Sequence, residues 1–357
     1  MKGIYGIPKK RFGGGIFDTP GNTLFSLILL ALLVHWGMGV WDWTITRGTW
    51  QAETAEQCAR NGGFCWAFLR DRWRLILFGP YPFQEQWRPA LALVVCLALL
   101  SASVSTWIWG KALGPRLLLF CWILGVPLMA LLMIGGMLGI PRVPIRLWGG
   151  LPLTVMLASV GVSLAFLLAI ALALGRVSKM PVLRWMATGY IEFFRGVPLI
   201  ALLFLAAILF PYFVPPGWSM DTLLRAQLAF ALFFAAYMAE AMRGGLQSIS
   251  PGQYDAAQAL GLSWWQTQRR IILPQALRKV IPSLVNIFIA AFKDTSLVVV
   301  ISMLDLLGAA NASTAEAKWW GLYIEPYLFI ALIYLIFCSA MSAYSRGLER
   351  RLGIGER

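Results

Sequence analysis

Arg243 to Pro282 reads RGGLQSISPGQYDAAQALGLSWWQTQRRIILPQALRKVIP. It lies between two long apolar runs and carries helical punctuation of its own. Ser250-Pro251-Gly252-Gln253 has the form S-x-x-Q, a capping box with proline at the first helical position. It predicts a helix over 254–260, and Gly261 follows where a left-handed terminating residue is wanted. Ser263-Trp264-Trp265-Gln266 is a second box. It predicts a helix over 267–273 that Pro274 interrupts. Two short helices therefore meet at an angle around Gly261. Ala256, Ala257 and Ala259 leave one face nearly flat, so another surface can approach the backbone closely. Trp264, Trp265, Ile271 and Ile272 add large apolar groups. From these residues alone two readings stand: a docking surface for a partner, and an amphipathic linker lying on lipid.

The flanks decide the fold class. Of 357 residues, 59% are hydrophobic and 13% charged, and the mean hydropathy is +0.71. Soluble domains average about 45–50% apolar and about 25% charged, so a soluble globular chain is excluded. Runs long enough to cross a bilayer lie near 23–41, 89–109, 117–140, 151–175, 189–213, 222–242, 283–304 and 323–345. The expected fold is an all-α polytopic membrane protein with eight spans. The first run follows a basic start (Lys2, Lys9, Lys10, Arg11). No small-x-small cleavage site follows it before Trp41, so it reads as a retained anchor.

Lys+Arg number 30 against 16 Asp+Glu, a net +14. With an even number of spans both termini share a side. That side carries 19 of the cations and the opposite side ten, six of them in the long loop 42–88 beside five acidic residues. Short loops carry the positive-inside bias, so both termini are expected to be cytoplasmic and 42–88 extracytoplasmic. The surplus charge is then topology, and nucleic acid is not needed to explain it. Trp36, Trp41, Trp43, Trp107, Trp109, Trp148, Trp218, Trp319 and Trp320 read as interfacial belts.

Five cysteines occur. Cys96, Cys121 and Cys338 sit in apolar runs as small hydrophobes. Cys58 and Cys65 flank a polar stretch, where a disulfide and two unpaired thiols both remain open. The single histidine, His35, lies in an apolar run as a packed or interfacial residue, and no Cys/His cluster suggests zinc.

Charges inside the spans are the candidate site residues. Glu192 and Arg195 are helical neighbours, and Gly196 and Pro198 after them break or kink the helix. They read equally as a shaped start to a translocation path and as an interfacial ion pair. Glu240 stands three residues before Arg243 and can pair with it. Lys293 and Asp294 fall at the middle of 283–304, where each costs about 2.5–3.5 kcal/mol on insertion scales. Being adjacent, they do not face each other. A zwitterionic substrate needs both charges, and pairing with another helix or subunit is the other reading. No GxxxxGK[ST] loop, GxSxG or HExxH occurs, so neither ATP binding nor catalysis is expected of this chain, and no cofactor.

The spacing Asp255-Ala256-Ala257, three residues, Gly261, nine residues, Ile271-x-Leu273-Pro274 resembles the EAA signature of ABC importer permeases. That signature reads EAA, three residues, Gly, nine residues, I-x-LP; Asp255 replaces the usual Glu. Tyr190–Leu199 (YIEFFRGVPL), Ala236–Gly245 (AYMAEAMRGG) and Lys293–Leu297 (KDTSL) resemble the polar amino-acid branch, which usually has Thr at the place of Val197. Cys58, Cys65-Trp66 and Glu85-Gln86-Trp87-Arg88-Pro89 look like the M-type permease of general L-amino acid importers. The resemblance implies a five-span permease core at 148–350 with a coupling loop at 243–282. Three added spans precede it in 1–147, and a cytoplasmic tail follows at 351–357. It implies an ATP-binding subunit dimer seated on the loop, a second and related permease chain, a periplasmic amino-acid-binding protein and a bacterial inner membrane. An ion-coupled secondary transporter and a membrane-embedded enzyme are the rival classes. Neither the paired broken halves of the first nor a reactive cluster for the second is visible.

The charge asymmetry generates a topology test. Reporter fusions at Glu53, Pro141 and Trp218 read outside, and at Gly114, Lys179 and Trp264 inside; the reversed pattern overturns the assignment.

Overall fold

The computed structural model describes residues 18–105, 110–111, 113–137, 139–213, 215 and 220–351. The basic start, Trp107, Trp109, Trp218 and the tail beyond Arg351 lie outside the described residues. The chain falls into two compact units, one running to Asp71 and taking in Lys318–Gly321, the other comprising Arg72–Ala317 and Leu322–Arg357.

In the first unit the Thr19 side chain accepts from the Asn22 amide at 3.2 Å and caps α1 (Pro20–Trp41), with Pro20 in the first turn. The helix widens through a π turn, Asp42–Thr46. At 1.5 Å per residue its 27 residues reach about 40 Å, enough to cross with tilt. α1 buries none of its residues within the chain, and His35 on it is exposed rather than packed. The loop expected after it is folded. α2 (Ala55–Asn61) ends at a left-handed Gly62, and a disulfide joins Cys58 to Cys65 with their Cα atoms 5.5 Å apart. Trp43 meets Phe64 edge-on at 5.2 Å, and Trp50 stacks on Trp66 at 5.1 Å. α3 (Trp66–Phe78) begins here; Asp71 on it accepts from the Trp319 indole at 2.7 Å.

The second unit holds the remaining spans. α4 (Trp87–Val104) and α5 (Gly114–Ile134) form a hairpin. A helix end leaves its last carbonyls without partners. Here the wholly buried Arg88 guanidinium donates to Leu132 O at 2.7 Å and Pro141 O at 2.9 Å. α6 (Gly150–Arg176) is the central span. α7 (Pro181–Gly196) and α8 (Leu199–Phe204) are bent by 101°. Pro198 holds Val197 extended, as proline does to its predecessor. α8 passes through a π turn, Leu205–Leu209, into α9 (Phe210–Phe213). The run expected as one span over 189–213 is therefore a broken pair, and among the described residues seven other helices are long and apolar enough to cross.

α10 (Thr222–Gln247) packs along α6. Between helices in lipid the apolar effect gives little attraction, so close approach through small side chains matters. Ala165, Ala169 and Ala173 of α6 share a buried core with Ala226, Ala229, Ala235 and Ala239 of α10. α11 (Pro251–Ala259) and α12 (Trp264–Thr267) follow, then a π turn Gln268–Ile272 and α13 (Leu273–Asp294). Gly245 sets the approach of α10 to α13, because a Cβ there would stand 2.5 Å from Val280 Cγ1 and 3.0 Å from Ala276 O. A 3-10 turn, Thr295–Ile301, leads to α14 (Leu306–Ser313), and α15 (Ile324–Arg351) completes the bundle.

Gly149 and Gly150 pair in parallel with Leu304 and Asp305. Asp305, fully buried, caps α14 by accepting from the Gly308 amide at 2.9 Å, and Thr154 Oγ1 accepts from the Leu306 amide at 3.0 Å. Burial pushes the Asp305 carboxyl up to about 6, against the pull of that amide. A raised folded value means the contribution is full below about pH 4 and is lost as pH rises through about 6. Asp305→Asn keeps the cap and removes the titration. The stability of the variant relative to the parent should then rise by about 2–3 kcal/mol between pH 4 and 7, read by thermal unfolding in detergent. A flat difference overturns the assignment.

Candidate functional site

The site lies at the end of the bundle where α6, α7 and α10 finish and 251–272 begins. α11 ends in a Schellman arrangement. Leu262 N donates to Ala257 O at 3.1 Å and Gly261 N to Gln258 O at 2.9 Å, with Gly261 at φ +69. Only glycine takes that conformation without penalty. Nothing lies within 4 Å of where a Gly261 Cβ would be, so the joint faces open space.

The two serine boxes divide. At Ser263 the box is complete: Gln266 N donates to Ser263 Oγ at 3.3 Å, and Ser263 N to Gln266 Oε1 at 2.9 Å. At Ser250 only the backbone bond from Gln253 N to Ser250 O forms, at 3.0 Å, and the Gln253 side chain accepts instead from Gln275. The expected interruption at Pro274 also fails. Pro274 stands at the start of α13, directly after the π turn Gln268–Ile272, and the helix runs on through it. The π turn joins α12 to α13, so 264–301 runs on as one long helical stretch.

This geometry sorts the candidate residues. Ala257, Ile272 and Ala276 are buried and anchor the loop, while Asp255, Ala256, Gly261 and Pro274 are exposed. Ile271 and Leu273 are half-buried. Among the described residues Asp255 makes no hydrogen bond or ion pair. Trp264 and Trp265 stack on each other at 5.3 Å, both exposed. The result is a projecting small-residue face with one carboxylate and two indoles. A cavity of about 340 Å³ beside it reaches from Val177 to Tyr254 and Asp255.

Above the loop stands an ion cluster. Arg176, the last residue of α6, donates to Glu192 of α7 at 2.9 Å and to Glu240 of α10 at 2.7 Å. Arg243 grips both oxygens of Glu240 at 2.6–3.2 Å and donates to Gln247 at 2.6 Å. Arg195 is 4.0 Å from Glu192 and lies 6.0 Å over the Tyr237 ring. Glu192 is 55% exposed, which screens its pairs, whereas Arg176 and Glu240 are 19% and 25% exposed and gain more. Glu192, Arg195 and Glu240 are thus brought together by Arg176, which the sequence reading did not single out. Its only signal is a cation closing a long apolar run, since its partners lie far away in the chain.

Lys293 and Asp294 are not part of this cluster. They sit in the last turn of α13, directly before the 3-10 turn Thr295–Ile301. Lys293 is exposed and Asp294 half-buried, and neither has an ion pair among the described residues.

The family described as the binding-protein-dependent transport system inner membrane component matches residues 161–354. YhdY of Escherichia coli strain K12, an inner membrane amino-acid ABC transporter permease protein, is 42% identical, covering 95% of this chain and 92% of that protein. BztC of Rhodobacter capsulatus, a glutamate/glutamine/aspartate/asparagine transport system permease protein, is 38% identical over 94% of this chain and 92% of that protein. Among solved structures, an amino acid ABC transporter crystallised with histidines is 33% identical. The match covers 57% of this chain and 92% of that one, with a TM-score of 0.51. The family match begins inside α6, whereas the two full-length relatives also share the part before it.

Proposed function

The chain belongs to the binding-protein-dependent transport system inner membrane component family, and from that membership we propose that it is the permease subunit of an ATP-driven importer of L-amino acids. The observation that carries this reading is the exposed, glycine-jointed pair α11–α12. It offers a partner a flat face and asks nothing of lipid. The family favours this reading over an ion-coupled transporter, because energy then enters from a separate ATPase through that face.

Several finer points are part of the proposal. Asp255, Ala256, Ala257, Gly261, Ile271, Leu273 and Pro274 form or seat the contact with one subunit of an ATPase dimer. Hydrolysis takes place in that partner. A second permease chain completes the translocation path, and a periplasmic binding protein delivers the amino acid at the opposite face. Both termini are cytoplasmic, which puts the disulfide of Cys58 and Cys65 in the oxidising compartment. Amino acids are the substrate class because the full-length relatives are named for amino-acid transport. Arg176, Glu192, Glu240 and Arg243 tie three helix ends together directly above the loop, so a push on α11 reaches α6, α7 and α10 at once. Lys293 and Asp294, without partners of their own, are proposed as contacts along the path for the carboxylate and ammonium of the substrate.

Purification in mild detergent tests the whole: an ATPase and a second permease should accompany the chain, and uptake in vesicles should require ATP rather than an ion gradient. An uptake driven by a proton or sodium gradient without ATP overturns it.

Gly261→Asp places a Cβ at φ +69, a strain of about 1 kcal/mol, and a carboxylate on the contact face. The variant should insert normally and lose either co-purified ATPase or the link between hydrolysis and uptake, while Asp255→Glu stays near the parent. Parent-like assembly, stimulated hydrolysis and uptake in Gly261→Asp return the loop to a lipid-lying role.

Lys293→Ala and Asp294→Ala should assemble and lose uptake by about tenfold or more, as for an unpaired buried charge on the ligand. Normal uptake in both removes the pair from the path; failed assembly makes it a contact between helices.

A further inference from the structure

Five helices of the second unit, α4, α6, α10, α13 and α15, line a cavity of about 900 Å³. No charged side chain lines it. Three of its four serine hydroxyls are occupied within the protein. Ser159 Oγ donates to Val155 O and Ser163 Oγ to Ser159 O, both at 2.7 Å. Ser103 Oγ donates to Leu99 O at 2.7 Å and accepts from the Trp122 indole at 2.9 Å. A zwitterionic amino acid would find no partner here, and burying one unpaired is costly. The occupant is apolar.

Its length identifies the occupant further. On α13 the lining runs Ile281, Leu284, Val285, Phe288 and Phe292. From Ile281 to Phe292 the helix rises about 16 Å, close to half of a hydrocarbon core of about 30 Å. The cavity therefore spans one leaflet. The leaflet is the one on the loop side, because Ile281 lies towards 251–272. α15 runs antiparallel to α13, with Phe337 stacked on Phe292 at 5.3 Å and Tyr344 lining the loop-side end.

The mouth at that end is cationic. Arg278 continues the α13 stripe one turn before Ile281, at the spacing 278, 281, 285, 288, 292. It is exposed and, among the described residues, has no hydrogen bond or ion pair. Arg351 continues the α15 stripe at the spacing 337, 344, 351, and is exposed. Neighbouring Lys279 is engaged with Ser248 O at 2.8 Å and Arg346 with Ser342 at 2.7 Å. The one carboxylate on this stretch of α15, Glu349, accepts from Ser345 at 3.1 Å.

We propose that this cavity is a binding site for an anionic phospholipid of the loop-side leaflet. An acyl chain fills the groove, and the phosphate meets Arg278 and Arg351. Basic mouths between helices attract anionic headgroups at about fivefold in occupancy per charge. The site stands on the membrane geometry alone and goes beyond the transport reading.

The test uses the assembly purified in mild detergent, delipidated, and re-supplied with dioleoyl phosphatidylglycerol or dioleoyl phosphatidylcholine. Retained lipid is counted by mass spectrometry. Phosphatidylglycerol should be retained over phosphatidylcholine. Arg278→Gln, at an exposed position that folding does not depend on, should cut that preference about fivefold, and Arg278→Gln with Arg351→Gln about 25-fold. Leu284→Trp, which fills the groove, should lose both lipids, and millimolar inorganic phosphate should displace neither. The proposal is overturned by equal retention of the two lipids, by an unchanged preference in the double variant, or by displacement with phosphate, which would make the mouth a free-anion site. Cross-linking of a cysteine at Val285 to a second permease chain would overturn it as well, by making the groove a protein interface.

Discussion

In hydrocarbon no water is present to complete a backbone hydrogen bond, and every feature of this chain is arranged around that prohibition. Where the path of a span must change, the chain rarely stops a helix. It widens it, through π turns at Asp42–Thr46, Leu205–Leu209 and Gln268–Ile272, or tightens it, through the 3-10 turn Thr295–Ile301. Among the described residues the sharp break, at Gly196–Pro198, falls at the end of the bundle beside the ion cluster. Of the last carbonyls of α5, Leu132 O accepts from the buried Arg88 and Met133 O from the Tyr81 hydroxyl.

The same economy governs polar side chains. Serines along α6 return their hydroxyls to their own helix, and Asp305 turns its carboxylate onto an amide of α14. Charges that cannot be satisfied locally are collected at the helix ends. Arg176 answers two carboxylates from two other helices, and Arg243 answers one of them again. What is left unpaired, at Asp255, Arg278, Lys293 and Asp294, is then conspicuous, and each of these has been given an external partner above.

Much of this was legible in the residues. Apolar run length located the helices, since twenty apolar residues have few other uses. Gly261 and the Ser263 box were readable because their signals are local. The failures were those of competition and distance. Ser250 loses its box because Gln253 finds a partner in Gln275, a residue whose proximity only the folded loop creates. Pro274 predicts a stop, yet the π turn just before it carries the helix past the missing N–H. Arg176 was missed because an ion pair across three helices leaves no pattern in a linear string.

The unbroken stretch from Trp264 to Ile301 has a mechanical consequence. Its 38 residues make a rod of roughly 55 Å, with the loop face at one tip and Lys293 and Asp294 near the other. Such a rod acts as a beam on a fulcrum. A tilt of about 10° around its middle carries each tip through about 5 Å, in opposite directions. The fulcrum is where Gly245 lets α10 touch the rod at Val280 and Ala276, nearer the loop than the midpoint. A tilt about that contact would move the far tip further than the loop tip, in a ratio set by the position of a single missing Cβ.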